Sequence, residues 1–201
     1  IEVAGSPFEV EIDYAPNEPL PTVVRRVAAR AAGHVLCFLP GTAEIRRAER
    51  EIAGQLGDVL VLPLHGTLDS DAQDAALAPG ARRKVVLATN VAEPSLTIDG
   101  VTEVVDSGLV KVLRFDPATG LDRLDTERVS LDSAVQRAGR AGRTAPGRAT
   151  RLWDVRDRLR PHREADVHRI DLAGPLLDIL AWGGDPSGFR WFEPPPDERV
   201  E

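Results

Sequence analysis

The sequence predicts an α/β fold, a parallel sheet with helices on both faces. Three observations predict it. Short, continuous apolar runs recur: HVLCFLP (34–40), DVLVLPLHG (58–66) and RKVVLATN (83–90). Stretches with apolar residues at helical spacing lie between them. The strand-then-helix unit repeats three times, and such units wind into a parallel sheet through right-handed crossovers. With 201 residues, 42% hydrophobic and 28% charged, the chain has the makeup of a soluble globular protein.

Each element follows in order. FEVEIDY (8–14) alternates apolar and polar residues, as a half-buried strand does. Three prolines in APNEPLP then break the pattern. TVVRRVAARAAG (22–33) predicts a helix with Val23, Val27 and Ala31 on one face and Gly33 as its stop. Run 34–40 predicts a strand buried on both faces, with the only cysteine, Cys37, as plain core. TAEIRRAEREIAGQL (42–56) predicts a second helix capped by Thr42. Another buried strand follows at 58–66. LDSDAQDAAL (68–77) is a short helix stopped by Pro79 and Gly80, and 83–90 is a third buried strand. VTEVVDSG (101–108), LVKVLRFD (109–116) and LDRLDTERVS (121–130) read as strands. Asp-Pro and Thr-Gly turn signals join the last two into a β-hairpin. A helix beginning near Asp132 carries VQRAGRAGRT (135–144), and RATRLWDV (148–155) closes the unit as a strand. RDRLRPHREADVHRI then reads as a linker with short helix, and DLAGPLLDILAWG (171–183) as an apolar helix. The expected division is a sheet domain at 1–155 and a second region at 156–201.

A formal net charge of -7 excludes a general basic coat for nucleic acid and leaves room for a narrow local track. No apolar run approaches the roughly 18 residues of a membrane span, and no secretory signal opens the chain. A cytoplasmic protein without membrane contact is expected. The chain starts at Ile1 and contains no Met, which predicts a piece of a longer protein. One cysteine excludes an internal disulfide. No G-x-x-x-x-G-K-[ST] occurs, so no P-loop is present to cradle a triphosphate. No cysteine/histidine metal spacing occurs.

VQRAGRAGRT places three arginines and two glycines in ten positions of an acidic chain. On a continuous helix Gln136, Arg140 and Arg143 stand at i, i+4 and i+7 and share one face, with Arg137 a quarter-turn away. Gly139 and Gly142 each cost about 1 kcal/mol against Ala in a helix interior. They predict a close approach by another surface or a ligand. Two guanidiniums beside an amide suit a polyphosphate, because each fork pairs bidentately and stays charged. An arginine supplied across an interface stabilises a transferring γ-phosphoryl. The competing reading is a surface helix whose arginines pair with Asp122, Asp125 or Glu127.

The loop ATNVAEPSLTIDG (88–100) adds Thr89 and Asn90 directly after a buried strand, suited to a phosphodiester oxygen. Ser95, Thr97 and Asp99 suit a nucleotide's phosphate-bound water or ribose. An ordinary turn network is the equal alternative for this loop. Gly41 and Thr42 in LPGTAEI open a helix, where free N–H groups favour anions. His65 and Gly66 belong to the same edge.

Together VLCFLPGTAEI, LHG, KVVLATNVAEPSLTIDGVTEVVDSG and QRAGRAGR resemble motifs IV, IVa, V and VI of DEAH/RHA-type superfamily 2 helicases. The hairpin RFDPATGLDRLDTERVS and the tail DLAGPLLDILAWGGDPSGFRWFEPPP are most similar to the bacterial HrpB-like subgroup. The resemblance covers about Phe8 to Pro196. It implies a second RecA-like domain of an ATP-dependent helicase, followed by the start of a small helical, winged-helix domain. It further implies ATP with Mg2+, bound jointly with a first RecA-like domain of the same polypeptide. The implied partner is single-stranded nucleic acid, RNA in preference to DNA. By position in the motifs, Gln136, Arg140 and Arg143 become catalytic, Arg140 and Arg143 as finger residues on the β/γ-phosphates. Ser95, Thr97 and Asp99 become nucleotide contacts. Gly41, Thr42, Thr89 and Asn90 become nucleic-acid contacts, and the hairpin becomes the element that separates or steers strands. Two departures stand out. Pro94 replaces the usual Thr and removes an N–H and a hydroxyl. Leu77 stands near the position of an aromatic residue that stacks on adenine. The alternative of another class is a non-catalytic RecA-like module that binds nucleic acid or protein.

Overall fold

Branched apolar side chains in continuous runs favour strands that can be covered on both faces, and the runs above become the middle of a six-stranded sheet. The computed structural model describes residues 8–93 and 98–196. Strands β1 (Val10–Tyr14), β2 (His34–Phe38), β3 (Leu60–Leu64), β4 (Lys84–Ala88), β5 (Val101–Asp106) and β8 (Gly147–Arg151) lie in the order β1-β8-β5-β2-β4-β3. Every pairing is parallel. The hairpin is a separate pair, β6 (Leu109–Asp116) and β7 (Leu121–Arg128).

Both faces carry helices, as the alternation predicts. Helices α1 (Leu20–Arg30) and α2 (Thr42–Ile52) cover one face, where Val23, Val27, Ile45 and Ile52 pack on Val35, Cys37, Val85 and Leu87. On the other face, α3 (Ser70–Leu77), the turn at 90–92 and α4 (Leu131–Ala138) meet Leu36, Phe38, Val86 and Val104. Burial of this kind stabilises by roughly 25 cal/mol per Å² of apolar surface removed from water.

Several details differ from the sequence reading. Strand β3 is outermost and mostly half-exposed, not buried on both faces. Pro63 is the reason legible in the sequence, since a residue without an N–H is confined to sheet edges. The other outermost strand, β1, presents Glu11 and Asp13 to Arg148 of β8. The cap of α2 is Gly41, with Thr42 in the first helical position.

Two adjacent cations at the start of β4 finish two helices. The Arg83 guanidinium donates to the carbonyls of Ala28 and Ala31 at the end of α1, at 3.1 and 2.6 Å. Lys84 Nζ, almost fully buried, donates to Ala75 and Ala78 at the end of α3, at 2.9 and 2.5 Å. Cations there satisfy orphan carbonyls and oppose the helix dipole.

Gly33 joins α1 to β2 where no side chain fits. A Cβ there would lie 2.2 Å from the Gly100 carbonyl oxygen, which accepts from His34 N at 2.7 Å. Gly33→Ala is expected to destabilise the chain by about 1–3 kcal/mol, the usual cost of overpacking, read as a lower urea midpoint with unchanged slope.

The chain divides into two compact units, one of residues 1–110 and 127–162, the other of 111–126 and 163–201. Residues 156–162, expected as linker, are held to the start of α4. Leu131 N donates to Arg160 O at 2.8 Å, and Arg160 pairs with Glu127 at 2.7 Å. In the second unit, Phe115 N donates to Arg169 O, and the Arg169 guanidinium donates to Leu113 O, both at 2.7 Å. Arg114 pairs with Glu164 at 2.8 Å. Helix α5 (Ala173–Ala181) completes it.

Candidate nucleotide and nucleic-acid site

A parallel sheet aligns its carboxyl ends on one edge, and the pairing decides which loops become neighbours there. Phe38 and Ala88 are partners across β2 and β4, and Leu64 and Ala88 across β3 and β4. This register sets Gly41–Thr42, Thr89–Asn90 and His65–Gly66 side by side. Gly41 is buried, whereas Thr42, Thr89 and Asn90 are half-exposed. The N–H groups opening α2 therefore face the same edge as the Thr89 and Asn90 side chains. His65 is turned inward, 6% exposed, with Nδ1 2.9 Å from Thr67 Oγ1. Leu77 is partly buried against the α3-side core.

Asp99 is elsewhere. It is exposed in the turn just before β5, beside Gly100, whose carbonyl meets the first residue of β2. It thus stands at the amino edge of the sheet, across from Thr89. Six residues of β5 separate the two edges, roughly 20 Å at about 3.3 Å per residue. Thr89 and Asp99 therefore do not gather at one edge. Ser95 and Thr97, with Pro94, lie outside the described residues.

Helix α4 returns along the same face and stops at Ala138. The continuous helix expected over 135–144 does not form, because Gly139 begins a turn that Gly142 continues. Gln136 stays on the helix and is exposed, while Arg140 and Arg143 lie in the turn. The i, i+4, i+7 spacing therefore does not set the position of the two arginines. Arg140 N donates to Arg137 O at 3.1 Å, and Gly142 O accepts from Phe8 N at 3.2 Å beside the start of β1. Arg140 is 6% exposed, and Arg143 is exposed. Burial, and then the neighbouring charge of Arg143, push the Arg140 guanidinium below its ordinary value, while Glu93 acts in the opposite sense. A Cβ on Gly139 would meet only the Val135 and Gln136 carbonyls of its own helix, at 3.4 and 3.5 Å, so packing against the rest of this domain does not use the space there.

Arg137, set aside by the helical-face argument, is the largest fully buried side chain. Its Nε donates to Glu93 Oε1 at 2.5 Å, and Nη1 to Asp106 Oδ1 at 2.9 Å and Leu109 O at 3.3 Å. Its guanidinium lies 4.9 Å from the centroid of Phe38. The acids expected from nearby sequence, Asp122, Asp125 and Glu127, are not its partners. Burial raises the Asp106 carboxyl, and Arg137 and the Gly108 N–H oppose that rise. Gly108 has φ +71°, and a Cβ there would sit 2.6 Å from the Trp153 ring, so Asp106-Ser107-Gly108 is a turn that only glycine closes. The DSG string was the one sequence signal for this node.

Residues 19–145 match the helicase conserved C-terminal domain family. The chain is 42% identical to the ATP-dependent RNA helicase HrpB of Escherichia coli, over 96% of this chain and 25% of that protein. It is 40% identical to the ATP-dependent RNA helicase DEAH11 of Arabidopsis thaliana, over 100% of this chain and 12% of that protein. A crystal structure of the Escherichia coli DEAH/RHA helicase HrpB superposes with a TM-score of 0.90 at 40% identity, over 98% of this chain and 27% of the other. The chain thus spans about a quarter or less of the length of these relatives. A six-stranded parallel sheet clad on both faces, the motifs along its edges and these identities agree that the chain belongs to the helicase conserved C-terminal domain family.

Proposed function

We propose that the chain is the second RecA-like motor domain of an ATP-dependent RNA helicase, supplying arginine fingers to a composite ATPase whose P-loop lies in another domain of the same polypeptide. The observation that carries the reading is the Arg140–Arg143 turn: two arginines three residues apart just past the end of α4, the first buried and the second exposed, on a chain without a P-loop motif. A polyphosphate fits two such forks. The relatives named above are RNA helicases, which favours RNA as the track.

ATP, when bound, supplies the γ-phosphoryl whose transfer to water drives the motor. Arg140, held by burial, meets the charge that develops on that group. Arg143 adds a second donor set from the accessible side, and exposed Gln136 aligns polar groups beside them. Ser95, Thr97 and Asp99 are assigned to the ribose and phosphates. ATP with Mg2+ is assigned to a site shared jointly with the first RecA-like domain. Gly41, Thr42, Thr89 and Asn90 form the track for a single-stranded backbone. Residues 156–201 are assigned to the linker and the beginning of a winged-helix domain. No helix among the described residues is long and apolar enough to cross a membrane.

The test compares the full-length polypeptide with residues 1–201. The full-length protein is expected to hydrolyse ATP faster when single-stranded RNA is added, and the isolated chain to hydrolyse none. The isolated chain is expected to bind the RNA weakly, with a log–log salt slope no steeper than about -2, the value for two or three phosphate contacts on a single strand. A full-length protein that binds RNA and hydrolyses no ATP overturns the motor reading in favour of a non-catalytic module.

A further inference from the structure

The sheet separates the two ligand regions by the length of a strand, and one buried side chain bridges the elements that carry them. We propose that Arg137 is a positioning residue that fastens the Thr89–Glu93 loop to the helix leading into Arg140 and Arg143, so that RNA held at one edge of the sheet sets the rate of ATP hydrolysis at the other. The inference rests on the motor reading above.

Arg137 exposes no surface from which to reach a ligand. It is fully buried, with Phe38 over its guanidinium and protein acceptors on Nε and Nη1. Its partners come from three places in the chain: Glu93, directly after the 90–92 turn that follows Thr89; Asp106, the last residue of β5; and Leu109, the first of β6. Glu93 grips α4 twice. Oε1 accepts from Arg137, and Oε2 accepts from Ser133 Oγ at 2.8 Å, one turn earlier on the same helix. Loop and helix are thereby held as one piece. Asn90 is three residues from Glu93, and Arg140 is three residues from Arg137, so a displacement at either end is passed through this junction. The charge of Glu93 also reaches Arg140, whose proton affinity it raises. A rigid planar fork serves acceptors in diverging directions, which a lysine ammonium on a flexible stem does not reproduce. That explains why arginine stands at a position where its charge never meets solvent or substrate.

The experiment uses the full-length polypeptide with Arg137→Lys and, separately, Glu93→Gln, a partly exposed position whose variant keeps size and removes the charge and one of the two acceptor oxygens. Basal ATPase, ATPase at saturating single-stranded oligo-RNA, and the RNA concentration at half-stimulation are measured, with a thermal melt of each variant. The ratio of stimulated to basal rate is expected to fall about tenfold, a size usual for coupling between two sites. The basal rate is expected to fall much less. If both rates fall in parallel, or the ratio is unchanged in folded Glu93→Gln, Arg137 serves stability alone and the inference is overturned. Should Arg137→Lys fail to fold, Glu93→Gln decides. A wild-type ATPase indifferent to RNA overturns the motor reading itself, and is distinguished by appearing before any substitution is made.

Discussion

Arg140→Ala in the full-length polypeptide is expected to lower ATP turnover by about 10³-fold or more, the usual contribution of an arginine finger. Arg140 differs from Arg143 in one respect that sharpens the expectation. It is almost buried in its own domain, so its position is fixed before nucleotide arrives, and little conformational entropy remains to be lost at the transition state. Its loss therefore falls on kcat. Arg143 is accessible, must be ordered on closure, and its removal is expected to raise KM for ATP as well. Arg140→Lys is not expected to restore turnover, because an ammonium lacks the bidentate fork. Steady-state ATPase with and without RNA reads all three variants, and near wild-type turnover in Arg140→Ala would remove the finger assignment.

Arg137→Met is expected to destabilise the isolated chain by about 3–5 kcal/mol, the cost of leaving buried charge without its partner. Methionine fills the space beside Phe38, so the effect is electrostatic and not a cavity. Asp106 carries the pH dependence. Burial already raises its carboxyl, and Arg137 is a principal opposing influence. Without Arg137 the folded-state value climbs further above the unfolded one. A carboxyl raised in this way penalises the folded state at neutral pH, and the penalty shrinks as pH falls through the folded value toward the unfolded one. The gap between wild type and variant is therefore expected to narrow as the pH is lowered from neutrality. Adding Asp106→Asn to Arg137→Met is expected to recover much of the loss at neutral pH. Urea unfolding at several pH values reads both effects, and a gap that widens on acidification contradicts the account.

Periodicity carried most of the fold. Strands β2 and β4 are apolar and buried after their first residues, His34 and Lys84, and the hairpin strand 109–116 falls where alternation and turn residues placed it. The errors have separate physical sources. Strand β3 is as apolar as its neighbours, so burial was assumed, although Pro63 already marked an edge. Helix α4 was extended through Gly139 on the strength of spacing alone, where backbone freedom ended it. That Gly41, Thr42, Thr89 and Asn90 are neighbours was legible, because parallel pairing brings the carboxyl-end loops of adjacent strands together. The Arg137 node was not. Glu93 is 44 residues away and Asp106 is 31 away, and only the closed sheet sets them on either side of one guanidinium. Arg137, fully buried, is the arginine that the helical-face argument sets aside, because that argument values exposure.

The outermost strands have a further consequence, for the time before the domain meets its neighbours. An open sheet edge is a template on which another backbone can add, and a half-exposed, apolar strand such as β3 invites it. Pro63 interrupts that row of donors, and at the opposite margin the Glu11–Arg148–Asp13 cluster places charge where an incoming strand would lie. A domain with two open sheet edges must remain apart from copies of itself, during synthesis and after. Pro63→Val with Glu11→Val is expected to leave the fold in place and to make the purified chain self-associate, visible as concentration-dependent light scattering.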